Sequence, residues 1–100
     1  METKHTPGPW HRNIRSNGKY PVVFAGRNQH VAIVSQQHDG HETEANIDLV
    51  AAAPELLEAL IDAEFLLRKA AQMAGPMQDS FRRSAEDARV AIVKATGGKP

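Results

Sequence analysis

The sequence predicts an α+β fold, with an N-terminal three-stranded antiparallel β-meander followed by a helical hairpin of a short, a long and a C-terminal helix. Three observations support this. An Asn17-Gly18 pair separates two β-favouring runs, Pro54 and Gly75-Pro76 divide a long helical pattern, and Gly97-Gly98 ends it. Asn-Gly readily adopts the positive φ of a tight hairpin, whereas Pro removes a helical donor.

Each element follows from local signals. Residues 1–9 contain Pro7 and Pro9 and predict an extended arm. Strands are expected at 10–15, 20–25 and 30–35, so that residues 10–35 form the meander. Helices are expected at about 43–53, 54–73 and 79–95 within a helical region spanning 43–95. At 100 residues the chain has the size of one domain.

The composition limits the functional classes. The chain has no cysteine and a formal net charge of zero, which argues against thiolate metal sites and against a general nucleic-acid binder. The N-terminal residues lack the apolar stretch of a signal peptide, and no run is long enough to span a membrane. We therefore expect a protein of the host-cell cytoplasm that does not bind membranes.

The charges are segregated along the chain. Between residues 4 and 37 every charged residue is basic, and from residue 42 to 64 every one is acidic. The positive end of the helix macrodipole stabilises acidic residues near helix starts, which accounts for part of this charge segregation. The basic segment is a candidate face for an anionic ligand.

No catalytic, cofactor or metal motif stands out, so the sequence predicts a protein that is not an enzyme and needs no cofactor. The run from His38 to Glu42 contains metal-ligand types, but we interpret it as a polar loop because a zinc site needs a defined geometry and usually a second cluster.

The candidate ligand-binding residues combine stacking and charge. Trp10 stands next to basic residues and is either a core plug or a platform for a nucleobase. Asn46 is either a local capping group or a hydrogen-bonding partner for a ligand. Arg68 pairs with Glu64 at i,i+4, either at the rim of the core or in a pocket or interface. The full candidate set is Trp10, His11, Arg12, Arg15, Asn46 and Arg68.

The second helix has a wide apolar arc, formed by Leu56, Leu57, Leu60, Ile61, Phe65 and Leu67, with Leu66 outside it. A helix covering one neighbour needs a narrower stripe. This pattern predicts a homo-oligomer built around the second helix.

Two segments resemble a family of short phage and prophage proteins: HTPGPW from His5 to Trp10, and EANIDLVAAAPELLEAL from Glu44 to Leu60. The resemblance implies a phage accessory protein that acts by stoichiometric binding. The first expectation is counter-defence by sequestering a nucleotide-type host immune signal. The alternatives are an inhibitor that blocks a host defence complex, such as a CRISPR effector, by direct contact, and less favourably a nucleic-acid-binding phage regulator.

Overall fold

The computed structural model describes residues 5–12, 22–26, 29–33 and 40–98. Three strands come first, β1 (Trp10–Arg12), β2 (Val22–Ala25) and β3 (Gln29–Ile33). Three helices follow, α1 (Gly40–Ala51), α2 (Ala53–Ala71) and α3 (Gln78–Ala95). The predicted α+β class and the order of its elements are confirmed.

The strands form one antiparallel sheet in the order β1-β2-β3. Trp10 pairs with Ala25 and Arg12 with Val23, while Phe24 of the central strand pairs with His11 on one side and His30 on the other. The predicted Asn17-Gly18 turn and the ends of the predicted strands at 13–15, 20–21 and 34–35 lie outside the described residues.

Helix α1 begins at Gly40, three residues before the predicted start, so the predicted polar loop is helical from Gly40 to Glu42. A turn at Ala52 separates α1 from α2, and Pro54 is buried in the first turn of α2, where its missing N–H costs no helical hydrogen bond. The predicted helix junction is therefore confirmed.

The chain divides into two compact units, residues 6–55 and residues 56–100 together with the first five. In the first unit, α1 packs against β1 and β2, and Val23, Ala25 and Ile47 are buried. In the second, Leu57 of α2 and the α3 residues Ala85, Ala88 and Ile92 are buried. The three α3 residues recur at i, i+3 and i+7, the spacing that places them on one face of the helix.

The end of α3 follows from its sequence. Thr96 donates its hydroxyl to the carbonyl of Ile92 at 2.8 Å, and Gly97 adopts a φ of 73°. The Gly98 N–H then bonds to the Val93 carbonyl at 2.9 Å. A glycine at this position closes the helix without the steric penalty of a side chain. In the described part of the chain, no helix combines the length and the apolar character needed to cross a bilayer.

Candidate functional site

Arg12 is held by two carboxylates of α1. Its Nη2 lies 2.5 Å from Glu44 Oε2, and its Nη1 donates to Asp48 Oδ1 at 2.9 Å. The bond to Asp48, with the nearby Glu44, raises the pKa of the guanidinium. The Arg12 and Glu44 side chains are 22% and 31% exposed, so this fork fastens β1 to α1 in a partly buried setting.

Trp10 lies on the same face of β1 as Arg12. Its ring is half-buried, and the indole Nε1–H donates to the Thr6 carbonyl at 3.1 Å. The bond satisfies the polar end of the ring within the N-terminal arm. This arrangement matches the core-plug interpretation of Trp10 more closely than that of an open stacking platform.

His11 points to the opposite face of the sheet, because side chains alternate along a strand. Its exposed ring stacks on Phe24 at a centroid distance of 5.6 Å, and Phe24 meets the edge of His30 at 4.9 Å. Three rings thus form a row across the three strands, and this row is separated by the sheet from Trp10 and Arg12.

Asn46 is exposed on α1, one residue before the buried Ile47. At about 100° per residue, Asn46 lies about 160–200° around the helix from Glu44 and Asp48, which hold Arg12. The predicted residues of the first unit therefore fall on three different surfaces, and Arg15 lies outside the described residues. The structure does not bring this set together as one site.

Arg68, on α2, belongs to the second unit. It pairs with Glu64, Nε to Oε1, at 3.2 Å, and its guanidinium carbon lies 5.8 Å from the centre of the Phe65 ring. Lys69 Nζ is 5.3 Å from the same ring. Phe65 is 49% exposed, so an aromatic side chain and two cations share one accessible patch.

Arg68 also lines a groove of about 630 Å³ between the C-terminal half of α2 and the N-terminal half of α3. The lining residues are Glu64, Arg68, Ala71, Gln72, Gln78, Arg82, Ala85, Glu86 and Arg89. Gln78 donates its side-chain N–H to the Ala71 carbonyl at 3.0 Å, which ties the start of α3 to the end of α2. A smaller pocket, lined by Phe65, Arg68, Lys69 and Gln72, adjoins the groove through Arg68 and Gln72.

Three arginines face this groove, and each is paired with an acid of its own helix. Arg82 meets Asp79 at 3.2 Å and Arg89 meets Glu86 at 2.6 Å. The bond from Arg89 lowers the pKa of Glu86 and raises that of Arg89 itself. The negative charge of Glu64, on the other side of the groove, also raises the pKa of Arg89. The lining itself holds three arginines and two glutamates, and Asp79, which pairs with Arg82 beside the lining, balances the third arginine.

Sequence reasoning found Arg68 and missed Arg82 and Arg89. The available signal was spacing: Gln78, Arg82, Ala85, Glu86 and Arg89 recur at i, i+4, i+7, i+8 and i+11, which places them on one face of a helix. No group of three or more His, Asp or Glu side chains within residues 5–12, 22–26, 29–33 and 40–98 is arranged to hold a metal ion.

The fold and groove define a small α+β protein with an arginine-lined cleft on a helical hairpin. A family model described as Salmonella phage P22 protein Y8K6 matches residues 1–99. The chain belongs to this family of phage proteins, as its two motif segments led us to expect. No curated protein and no solved structure matches the chain.

Proposed function

We propose that this phage protein acts by stoichiometric binding, and that its ligand is a nucleotide-type host immune signal which it sequesters. The observation that carries the proposal is the presence of Arg68, Arg82 and Arg89 along one groove. A guanidinium presents a planar fork of donors that matches phosphate oxygens. A groove of about 630 Å³ is in the size range of small-molecule sites.

A phosphate that binds the groove arginines must displace the carboxylates that pair with them. The side chains of Arg82 and Asp79 are 64% and 88% exposed, and those of Arg89 and Glu86 are 42% and 58% exposed. Exposed pairs of this kind contribute little because water screens them. A phosphate group, with more charge and more acceptor oxygens than a carboxylate, would compete for these guanidiniums at small cost.

Phe65 gives the groove a place for a base. Its half-exposed ring lines the smaller pocket, which has Arg68 in common with the arginine-lined groove. Stacking of a base on an aromatic ring is tolerant of base identity. The resulting arrangement puts phosphates at the three arginines and a base at the rim. This assignment moves the ligand away from the N-terminal residues Trp10, His11 and Arg12 and keeps Arg68 among its binding residues.

Calorimetry of the full chain against cyclic dinucleotides, cyclic trinucleotides and ADP-ribose derivatives tests the proposal. We expect saturable binding to one of these classes, and Arg82→Gln should weaken it about tenfold or more, as expected for loss of a charge-assisted contact. Arg83→Gln is the matched control, because Arg83 is exposed on the same helix and does not line the groove.

The rival function is direct blocking of a host defence complex, such as a CRISPR effector. It predicts no affinity for any compound of the panel and a stable complex with a host protein. If calorimetry detected no binding to the panel and such a complex co-purified with the protein, the rival function would replace the present proposal. Equal losses in Arg82→Gln and Arg83→Gln would reject the groove as the binding site.

A further inference from the structure

An apolar stripe runs along the accessible surface of α2, on the side of the helix away from the groove. Its members on the helix are Leu56, Ala59, Ala63, Leu66 and Ala70, and Met73 continues the spacing two residues beyond the helix end. Leu56, Leu66 and Met73 are 51%, 65% and 72% exposed, and Ala59 and Ala63 are exposed as well. We name this stripe the α2 seam.

The spacing of the α2 seam is that of a coiled coil. Successive members are separated by three, four, three, four and three residues, the alternation that keeps one apolar line facing a partner helix. At about 100° per residue, the α2 seam is centred roughly opposite the groove-lining residues Glu64, Arg68 and Gln72. A partner on the seam therefore leaves the groove open.

The charges beside the α2 seam favour one orientation of the partner. Glu55, Asp62 and Lys69 occupy equivalent flanking positions seven residues apart, with acids in the N-terminal half and a base in the C-terminal half. Neither Asp62 nor Lys69 forms an ion pair within the described part of the chain. A second copy running antiparallel would bring Lys69 beside the partner copy's acid at position 62, and the two-fold axis would create this pair twice.

The same register fits the seam side chains together. An axis passing between Ala63 and Leu66 sets Ala59 against the copy of Ala70 and Ala63 against that of Leu66, and it brings Leu56 level with Met73, which lies beyond the end of the helix. The two Ala59–Ala70 layers allow the backbones to approach, and Leu66 packs against Ala63 near the axis. A parallel pair would instead set the flank that carries Asp62 and Lys69 against the partner's other flank, where Leu60 and Leu67 lie, so neither charge would gain a partner.

We propose that the α2 seam binds a second copy of this chain as an antiparallel two-fold dimer. The occupant is the chain itself because the flanking charges complement their own sequence only when it is reversed. This inference goes beyond the proposed function, and its tests are separate from ligand binding because the α2 seam shares no residue with the groove or the smaller pocket; only the flanking Lys69 also lines the smaller pocket.

Sedimentation of the full chain at tens of micromolar is the first test, and a dimer is expected. Leu66→Glu should raise the dimer dissociation constant at least about thirtyfold, as loss of a central anchor does. Val90→Glu is the control, since Val90 is 47% exposed on α3 and should leave the dimer intact. Circular dichroism verifies that both variants remain folded. A monomeric wild-type chain would overturn the proposal.

The absence of cysteine from the chain permits a direct test of orientation. Ala59→Cys and Ala70→Cys, each prepared alone, are expected to form no disulfide, because the two copies of residue 59 would be about 16 Å apart along the helix axis. Mixing the two variants under oxidising conditions should produce the heterodisulfide. A disulfide in Ala59→Cys alone would indicate a parallel pair and reject the antiparallel dimer.

Charge exchange provides a second, non-covalent test. Lys69→Glu should weaken the dimer because it places two acids together, and adding Asp62→Lys should restore it. Failure of the double variant to regain the affinity of the wild-type chain would reject the Asp62–Lys69 pairing and with it the proposed register.

Discussion

Gly8 approaches Pro54 so closely that a Cβ atom at position 8 would lie 2.9 Å from the Pro54 Cβ and 3.2 Å from its Cγ. The N-terminal arm therefore rests against the first turn of α2 at a point where only glycine fits. These two residues come from the two separated segments that carry the family resemblance.

We predict that Gly8→Ala lowers the free energy of unfolding by about 1–3 kcal/mol, the usual cost of overpacking. The pyrrolidine ring cannot rotate away as a flexible side chain would, so the arm must shift. Urea denaturation of the full chain measures the effect. Gly75→Ala is the matched control, because a Cβ there would meet no heavy atom within 4 Å, and an equal loss in both variants would reject this explanation.

Arg12 provides the second prediction, because the structure gives it a supporting role in the first unit. Arg12→Ala removes the donors of Glu44 and Asp48 and should destabilise the protein by about 1–2 kcal/mol, since hydrogen bonds to charged groups exceed neutral ones. Ligand affinity in the calorimetric panel should be unchanged.

Arg82→Ala is the control for this stability measurement. It also removes an arginine–aspartate pair, but one whose side chains are 64% and 88% exposed, so the loss should stay below about 0.5 kcal/mol. If Arg12→Ala instead abolished ligand binding at full stability, the ligand site would belong at β1.

Asn46 supplies a third prediction. Asn46→Ala should change the unfolding free energy by no more than about 0.5 kcal/mol and leave the affinity for a nucleotide unchanged, because the residue is exposed and does not line the groove. The neighbouring Ile47→Ala should cost about 2–5 kcal/mol, because Ile47 is fully buried. Thermal and urea unfolding of both variants test this contrast, and a large loss of affinity in Asn46→Ala would contradict it.

The fold was predictable because its helix boundaries are set by residues with unusual backbones, proline being restricted in φ and glycine being free to adopt a positive φ. Pro54 and Gly97 limit helices through their own covalent structure, independently of what surrounds them. The start of α1 was misplaced by three residues because Gly40 and His41 carry no comparable signal. Boundaries that depend on weak preferences shift by such amounts.

The candidate site was less predictable because neighbours in sequence were grouped as neighbours in space. Trp10 and His11 are adjacent along the chain, yet strand alternation places them on opposite faces of the sheet. The groove joins Arg68 to Arg82 and Arg89 across a turn, and that association depends on how α3 is rotated against α2. The charge segregation along the sequence was misleading for a similar reason. Basic Arg12 and the acids Glu44 and Asp48 of α1 are far apart in sequence but form ion pairs in the fold.

The last prediction concerns the pKa of Glu86. Arg89 donates to both of its oxygens, at 3.0 and 2.6 Å, and these bonds hold its pKa below the ordinary value. The pair's contribution to stability is therefore present above the pKa of the unfolded chain and is lost as the pH falls through the lower folded value. Arg89→Gln should raise the Glu86 pKa towards that of an unpaired glutamate, whereas Arg83→Gln should leave it unchanged. Side-chain carboxyl NMR titration at low salt measures the Glu86 pKa in both variants.

A nucleotide whose phosphate binds Arg89 should likewise raise the Glu86 pKa in the wild-type protein, because the carboxylate loses its hydrogen-bond donor. Binding without any change in that pKa would show that the phosphates do not use Arg89.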